Sequence, residues 1–336
     1  MAERVLVTGG GGFLGAAICR QLLVRGDQVR SLARGDYPAL RALGVETLRG
    51  DAADPATAER AVQGCDLVIH TAAKAGVWGD EVAYYRANVL ATQAILGACR
   101  RQGVGRLVFT SSPSVVAGGL PLRGVDESVP YPVQHLAPYP RTKAIAERAV
   151  RAAHSNDLRT VSLRPHLILG PGDPHLVPRL IERARKGKLW LLGDGRNRVD
   201  VTYVEDAARA HLLAADALLR PGSPVGGRVY FLSQGQPVAL AELLARILRE
   251  AGLAKPSWTI PPEVGYAMGA LMEGIYRVLP LPGEPPLTRF VAKELATDHY
   301  FDISAARRDL GYAPSVTVDE LTRIVGASLS PPPNPS

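Results

Sequence analysis

The chain has 336 residues, 39 Lys and Arg against 32 Asp and Glu, 46% hydrophobic and 21% charged residues. That composition excludes a disordered, collagenous or disulfide-stapled protein, and the length suits one large α/β unit or two closely joined ones. Cys19, Cys65 and Cys99 are odd in number and lack CxxC or Cys/His clustering, so they read as free thiols and no metal site is expected.

The amino terminus passes straight into a strand-like run without the features of a signal peptide, which makes the cytoplasm the default address. The formal charge of +7 is carried by dispersed Arg residues with no nucleic-acid motif, so no nucleic-acid partner is expected. The most apolar long stretch, 264–281, is broken by Glu273 and Arg277 and falls short of the ~20 apolar residues that a membrane span requires.

In chain order, β-branched runs at Arg4–Thr8, Gln28–Ala33, 45–48, Leu67–His70, Arg106–Thr110 and 160–164 alternate with helical patterns at 16–25, Pro55–Val62, 84–101 and 140–153. This alternation specifies a Rossmann-type, doubly wound parallel sheet. Residues 1–165 are expected to bind a dinucleotide. Residues 166–329 form a smaller, irregular α/β substrate lobe from which 201–203 and 228–232 are candidates to return to the sheet, and 330–336 (SPPPNPS after Leu329) is expected to be a disordered tail.

Arg4–Thr8 runs directly into Gly9-Gly10-Gly11-Gly12-Phe13-Leu14-Gly15 and then a helical pattern. Gly9, Gly12 and Gly15 stand where a tight turn, close backbone approach and helix–strand contact each exclude a Cβ, and the helix amides then face an anion. Alone the string is only a flexible turn; on the first strand–helix junction it favours a dinucleotide pyrophosphate. The second strand ends Leu32-Ala33-Arg34, with no carboxylate for a ribose hydroxyl, so Arg34, helped by Arg30, favours the 2′-phosphate of NADP(H) unless it is a solvated loop residue. Asp51 is placed to receive an adenine amino group or merely to form a turn.

Tyr139 and Lys143 stand at i and i+4 and share a helix face, where an ammonium beside a phenol is expected to lower the phenol's pKa. Phe109-Thr110-Ser111-Ser112 ends the fifth strand on the same carboxyl edge.

With these residues the chain resembles the extended short-chain dehydrogenase/reductases, in particular their 3β-hydroxysteroid dehydrogenase-like branch. The resemblance runs through TGGGGFLG from Thr8, GDAAD from Gly50, HTAA from His70, NVLAT from Asn88, FTSSPSV from Phe109, YPRTK from Tyr139 and on to FDISAARRDLGY from Phe301. It implies that Ser112 polarises the substrate carbonyl, with Ser111 and Ser114 as neighbours, that Tyr139 is the acid/base, and that Lys143 binds the nicotinamide ribose. It further implies that Asn88 supports a relay water, unless it only ties its helix to a neighbour, and that Phe13, Leu14, Ala72, Ala73 and Pro165 line the cofactor.

Where nucleotide-sugar dehydratases of the superfamily place an acidic pair, this chain has Ser112-Pro113, so dehydration is not expected. The NADP signal at Ala33-Arg34 favours carbonyl reduction. Lys74-Ala75-Gly76-Val77-Trp78-Gly79 resembles the bacterial 2-alkyl-3-oxoalkanoate reductases of olefin biosynthesis. That resemblance implies a hydrophobic small-molecule substrate, a homodimer, and assembly with other olefin-pathway enzymes. The alternatives are a 3β-hydroxysteroid or sterol-4α-carboxylate dehydrogenase and, further off, a nucleotide-sugar epimerase or a silent NADP sensor. Trp78 either borders the substrate channel or anchors its loop. Met268, Leu271, Met272, Ile275, Val278 and Leu279 form one apolar helical face, read as domain core or as a lid over the substrate.

Overall fold

A computed structural model describes residues 2–174, 176–256, 258–279 and 281–329; the expected disordered tail at 330–336 lies outside the described residues. Seven strands form the central sheet: β1 (Arg4–Thr8), β2 (Gln28–Ala33), β3 (Glu46–Arg49), β4 (Leu67–His70), β5 (Arg106–Thr110), β6 (Arg159–Pro165) and β7 (Val229–Leu232). Their order is β7-β6-β5-β4-β1-β2-β3, and every neighbouring pair is parallel. The chain steps outward from β1 to β3, then returns to the other side of β1 with β4. A crevice therefore opens at the carboxyl ends of β1 and β4, where ligands bind in such sheets.

Period-two alternation divides the core. Val5 and Val7 of β1 face one layer, which contains α1 (Phe13–Arg25) and α5 (Val204–Ala217). Leu6 faces the other, with α2 (Pro55–Val62), α3 (Ala91–Gln102) and α4 (Pro138–Ala152). All three cysteines are buried free thiols.

The second half supplies β7 to the sheet as expected, but Thr202–Tyr203 does not join it: that segment pairs with Ile168–Leu169 beside the sheet's edge. Leu122–Val125, from the first half, crosses into the second lobe and pairs with His299–Phe301, which in turn adjoins Arg198–Val199. The second lobe has its own core, built on helices Leu176–Arg185, Leu240–Glu250 and Val318–Ala327. Its helix α6 (Pro262–Val278) packs on helix Arg289–Ala296.

The expectation of an apolar core face on α6 holds only at its edge, where half-buried Met268 packs against Leu192, Leu287 and Ala292 and Met272 is half-buried, and fails for the rest. Leu271, Ile275, Val278 and Leu279 are exposed, whereas Glu273, which breaks the apolar stretch in the sequence, is buried and paired with Arg289. Amphipathic spacing locates a stripe but does not say which side of a helix is packed, and here glycines make the packed side. No helix among the described residues is long and apolar enough to cross a membrane.

Candidate active site

The turn from β1 into α1 is held by Gly9 N–H donating to the Leu32 carbonyl at 2.8 Å and Gly12 N–H donating to the Gly9 carbonyl at 2.9 Å. Gly9 has φ +73°, and a Cβ there would stand 3.0 Å from the Ala72 backbone; at Gly15 it would stand 2.2 Å from the Gly9 carbonyl oxygen. No side chain caps α1, whose first turn lacks acidic residues, so its amino end presents bare amides and a positive dipole end.

This turn is one wall of a cavity of about 510 Å³. Gly9, Gly12, Phe13, Leu14 and Gly15 line it on one side, Ala33, Arg34 and Asp51 at one end, and Ala72 and Ala73 opposite. Arg34 is exposed there and pairs with no carboxylate among the described residues. The cradle and its bare amides fit a pyrophosphate, and the Arg34 guanidinium fits a phosphate monoester on the ribose.

One expectation at this end is corrected. Arg30 cannot assist Arg34: it is buried, donates to the Ala61 and Gln63 carbonyls at 2.9 and 2.8 Å, and pairs with Glu46. Strand alternation and the carbonyl-rich end of α2 draw it away. Asp51 is already bridged, accepting from Ala53 N–H at 3.0 Å and from Arg86 Nε at 2.9 Å, so it shapes the cavity end through Arg86 as much as through its own carboxylate.

The catalytic candidates gather at the carboxyl end of β5. Ser112 sits just beyond that strand and accepts from Ser114 N–H at 3.2 Å, with the Ser114 hydroxyl 2.9 Å away. Its hydroxyl also hydrogen-bonds Tyr139 from the first turn of α4. Ser111 points elsewhere, toward the buried Glu147 carboxylate.

Lys143 is 2% exposed, donates to the Thr110 carbonyl at 2.5 Å and lies 4.0 Å from the centre of the Phe109 ring. Burial lowers its pKa to about 7, against the opposing charge of Glu147 one turn later. The expected lowering of the Tyr139 phenol by this ammonium does not occur. Burial raises the phenol's pKa, and the Ser112 hydrogen bond draws it back only in part. The physical reason is that the lysine stem reaches past the phenol to the strand end, and that both groups are desolvated.

Behind Lys143, Arg164 grips Glu147 with Nε and Nη2 at 2.9 and 2.5 Å, and Tyr131 donates to the same carboxylate at 2.5 Å. Burial alone would raise the Glu147 carboxyl, but Arg164 outweighs it and holds the group below its ordinary range. The cluster fixes the back of α4 without presenting a net buried charge.

Asn88 lies in a π-helical turn, Arg86–Leu90, that interrupts the helix expected over 84–101. Its Oδ1 accepts from Lys74 N–H at 2.7 Å, and its Nδ2 donates to the Lys74 carbonyl at 3.2 Å and to Thr142 Oγ1 at 2.9 Å. Both amide protons are thus committed to tying the 74–79 loop to α4. Trp78 packs edge-on against Tyr276 at 6.4 Å and lies under Arg277 at 5.5 Å, which anchors that loop to α6. Pro165 is buried at the end of β6 beside Leu232. Tyr139, Lys143, Ser112, Asn88, Trp78 and Pro165 do not line the 510 Å³ cavity.

Two buried histidines escaped the sequence reading. His70 links Thr8 Oγ1 at 2.6 Å to Thr92 Oγ1 at 3.1 Å, and Thr92 donates to the Asn88 carbonyl at 2.7 Å. Because the single Thr92 proton goes to that carbonyl, His70 Nε2 must be the donor and Nδ1 the acceptor from Thr8. His211 donates from Nδ1 to the Ala207 carbonyl at 2.7 Å and accepts from Thr110 at 2.8 Å. Burial drives both imidazoles down, to about 3 for His70 and about 4 for His211. The HTAA and AARAH segments carry these residues, but a lone His in a strand or helix gives no sign of its partners.

A model of the 3-beta hydroxysteroid dehydrogenase/isomerase family matches residues 6–262. The chain is 49% identical over 327 residues to a 2-alkyl-3-oxoalkanoate reductase of Stenotrophomonas maltophilia, covering 97% of this chain and 99% of that protein. It is 34% identical to the decarboxylating sterol-4-alpha-carboxylate 3-dehydrogenase of Mus musculus, covering 95% and 89%. Among solved structures, MoeE5 in complex with UDP-glucose and NAD superposes with a TM-score of 0.75 at 27% identity, covering 97% and 98%.

Proposed function

The chain belongs to the 3-beta hydroxysteroid dehydrogenase/isomerase family, and from that premise we propose that it reduces the ketone of a hydrophobic 2-alkyl-3-oxoalkanoic acid to the 3-hydroxy acid with NADPH. The full-length likeness to a reductase of that name carries the reading. The unpaired Arg34 at the cavity rim supports the phosphorylated dinucleotide.

The dinucleotide, cradled by the Gly9–Gly15 turn and Arg34, supplies the hydride when bound. The chain's own residues supply orientation and the proton. Ser112 donates a hydrogen bond to the ketone oxygen and polarises it, while Tyr139 donates its phenolic proton to the same oxygen as negative charge develops there. A raised phenol pKa suits that role, since the group stays protonated at neutral pH yet remains far more acidic than an alkoxide's conjugate alcohol. Lys143 holds the strand end at Thr110, and its remaining N–H groups would serve the nicotinamide ribose.

The test is NADPH consumption with three substrates: a branched long-chain 3-oxo acid, the matching ketone without its carboxylate, and a 3β-hydroxysteroid with NADP run in reverse. The branched acid should win in kcat/KM, with longer chains favoured until the channel fills, at about 0.8 kcal/mol per buried CH₂. Preference for the steroid would reassign the enzyme. Arg34→Ala should cost NADPH at least about tenfold in Kd and leave NADH nearly unchanged, as loss of a charge-assisted bond predicts; an unaltered preference would remove the NADP assignment.

A further inference from the structure

Helix α6 is packed inside out. Its inward positions are Gly265, Gly269 and Glu273. A Cβ at Gly265 would stand 2.6 Å from the Leu192 side chain, and at Gly269 2.7 Å from the Thr288 carbonyl carbon, so only glycine lets the helix lie this close. Glu273 completes that face by accepting from Arg289 N–H and Nε, each at 2.8 Å.

The outward positions are Val264, Leu271, Ile275 and Val278, which are 47, 66, 39 and 82% exposed. At about 100° per residue they fall within a sector of roughly 60°, a single stripe along the whole helix. Trp258 extends the stripe beyond the amino end of α6, 73% exposed and in register with the exposed Trp190 of the paired strand. Leu279 and Leu281 extend it beyond the other end. Apolar surface of this extent marks a contact rather than ordinary exposure.

Cations flank both ends. Helix Leu176–Arg185 reaches the segment after α6, where Arg179 pairs with Glu284 and Arg183 donates to the Pro286 carbonyl at 2.8 Å. From there exposed Arg183, Arg185, Lys186 and Lys188 lead into Trp190; Lys186 pairs with exposed Glu182 at 2.5 Å, while Arg185 and Lys188 pair with no carboxylate among the described residues. Arg277, one residue before Val278, is exposed, covers Trp78 and reaches the inward Glu273 at 3.7 Å.

We propose that this face seats the protein on an anionic lipid surface. The α6 side chains enter the boundary between headgroups and acyl chains, the two indoles lie at the interface, and the cations pair with the headgroups. A second copy of the chain is a poorer occupant: symmetric pairing of the stripes would bring like cations of two +7 chains together. Because Arg277 and Tyr276 touch Trp78, the seated face adjoins the 74–79 loop. A lipid-dissolved substrate would then enter at that loop, a corollary that rests on the function proposed above.

The test is co-sedimentation of the full chain with vesicles of phosphatidylcholine alone and of phosphatidylcholine mixed with phosphatidylglycerol, alongside sedimentation velocity without vesicles. The wild type should bind the mixed vesicles preferentially, and less so as salt rises. Leu271→Glu combined with Val278→Glu should cut that partitioning at least about tenfold with an unchanged melting temperature. Lys186→Glu combined with Lys188→Glu should abolish the preference for phosphatidylglycerol. Absence of vesicle binding, equal binding to both compositions, or binding indifferent to the Leu271 and Val278 changes would overturn the proposal. So would a wild-type dimer that the same double variant dissociates, which would make the stripe a self-association face. None of these readouts uses turnover, so the result is independent of the substrate assignment.

Discussion

Tyr139 is the residue whose chemistry the surroundings alter most directly. Its phenol is held protonated by burial, next to a Ser112 hydroxyl that is itself oriented by the Ser114 amide. Replacing it with Phe removes one proton and leaves shape and packing nearly intact. Tyr139→Phe is therefore expected to lower kcat by ~10²–10⁴-fold while the reduced dinucleotide binds almost as before, checked by steady-state rates and by fluorescence titration of the cofactor. Near-full activity in that variant would place the proton donor elsewhere. The identity of this pair was legible from YPRTK and the strand end FTSS, because spacing alone puts both on one edge of the sheet. Its electrostatics were not: a four-residue offset fixes which face Lys143 shares with Tyr139, not whether a flexible stem stops at the phenol or continues to the Thr110 carbonyl. Arg30 failed as a phosphate ligand for the same kind of reason, since its partners are carbonyls of a helix end that no local pattern in β2 announces.

At the scale of elements, glycine decides two close approaches in this molecule, and one was visible beforehand. The first is the β1–α1 turn. Gly15→Ala would drive a methyl to 2.2 Å from the Gly9 carbonyl oxygen, a backbone atom that cannot step aside without opening the turn. It should weaken dinucleotide binding at least about tenfold and lower the melting temperature. Gly274→Ala, on the open side of α6 where no atom lies within 4 Å, should instead stabilise by about 1 kcal/mol through helix propensity. Parallel thermal melts and cofactor titrations of the two variants separate steric from conformational effects; equal behaviour would discredit the contact argument. The second approach, Gly265 and Gly269 of α6, was missed because hydrophobic periodicity was taken to point inward, whereas the small residues four apart were the better signal of the packed side. The π-helical turn at Arg86–Leu90 was equally hidden: the apolar spacing of 84–101 continues through it, and only the side-chain bonds of Asn88 to Lys74 and Thr142 reveal why the helix loosens there.

For the whole molecule, the buried ionisable groups set how stability follows pH, and around neutrality one of them stands apart. His70 and His211 are driven to about 3 and about 4, and His166 is also pushed well below its ordinary value by burial and by His299. In the folded chain these are neutral throughout the physiological range, and above about pH 7 they are mostly neutral in the unfolded chain as well. The buried cysteines move upward, so their linkage begins only as unfolded thiols ionise, at about pH 8.5. Asp200, raised by burial to about 6, and the histidines act mainly below pH 7, which leaves the interval from pH 7 to 8 chiefly to Lys143. Its folded value of about 7 lies below the ordinary 10.5, so over that interval the unfolded chain holds a proton the folded chain has released. Raising the pH must then favour the folded state, and lowering it toward 7 must cost stability. From pH 7 to pH 8 the Lys143 contribution should be on the order of 1 kcal/mol; it flattens below pH 7, where both states hold that proton, while His70, His166 and His211 go on lowering stability as their unfolded imidazoles charge. Urea unfolding of the wild type without added dinucleotide, compared with Lys143→Met at the same two pH values, measures it. The methionine variant should lose most of the slope, keeping only the smaller part that the histidines supply, and an undiminished slope would assign the effect to another group and return Lys143 to the charged state its sequence context suggested.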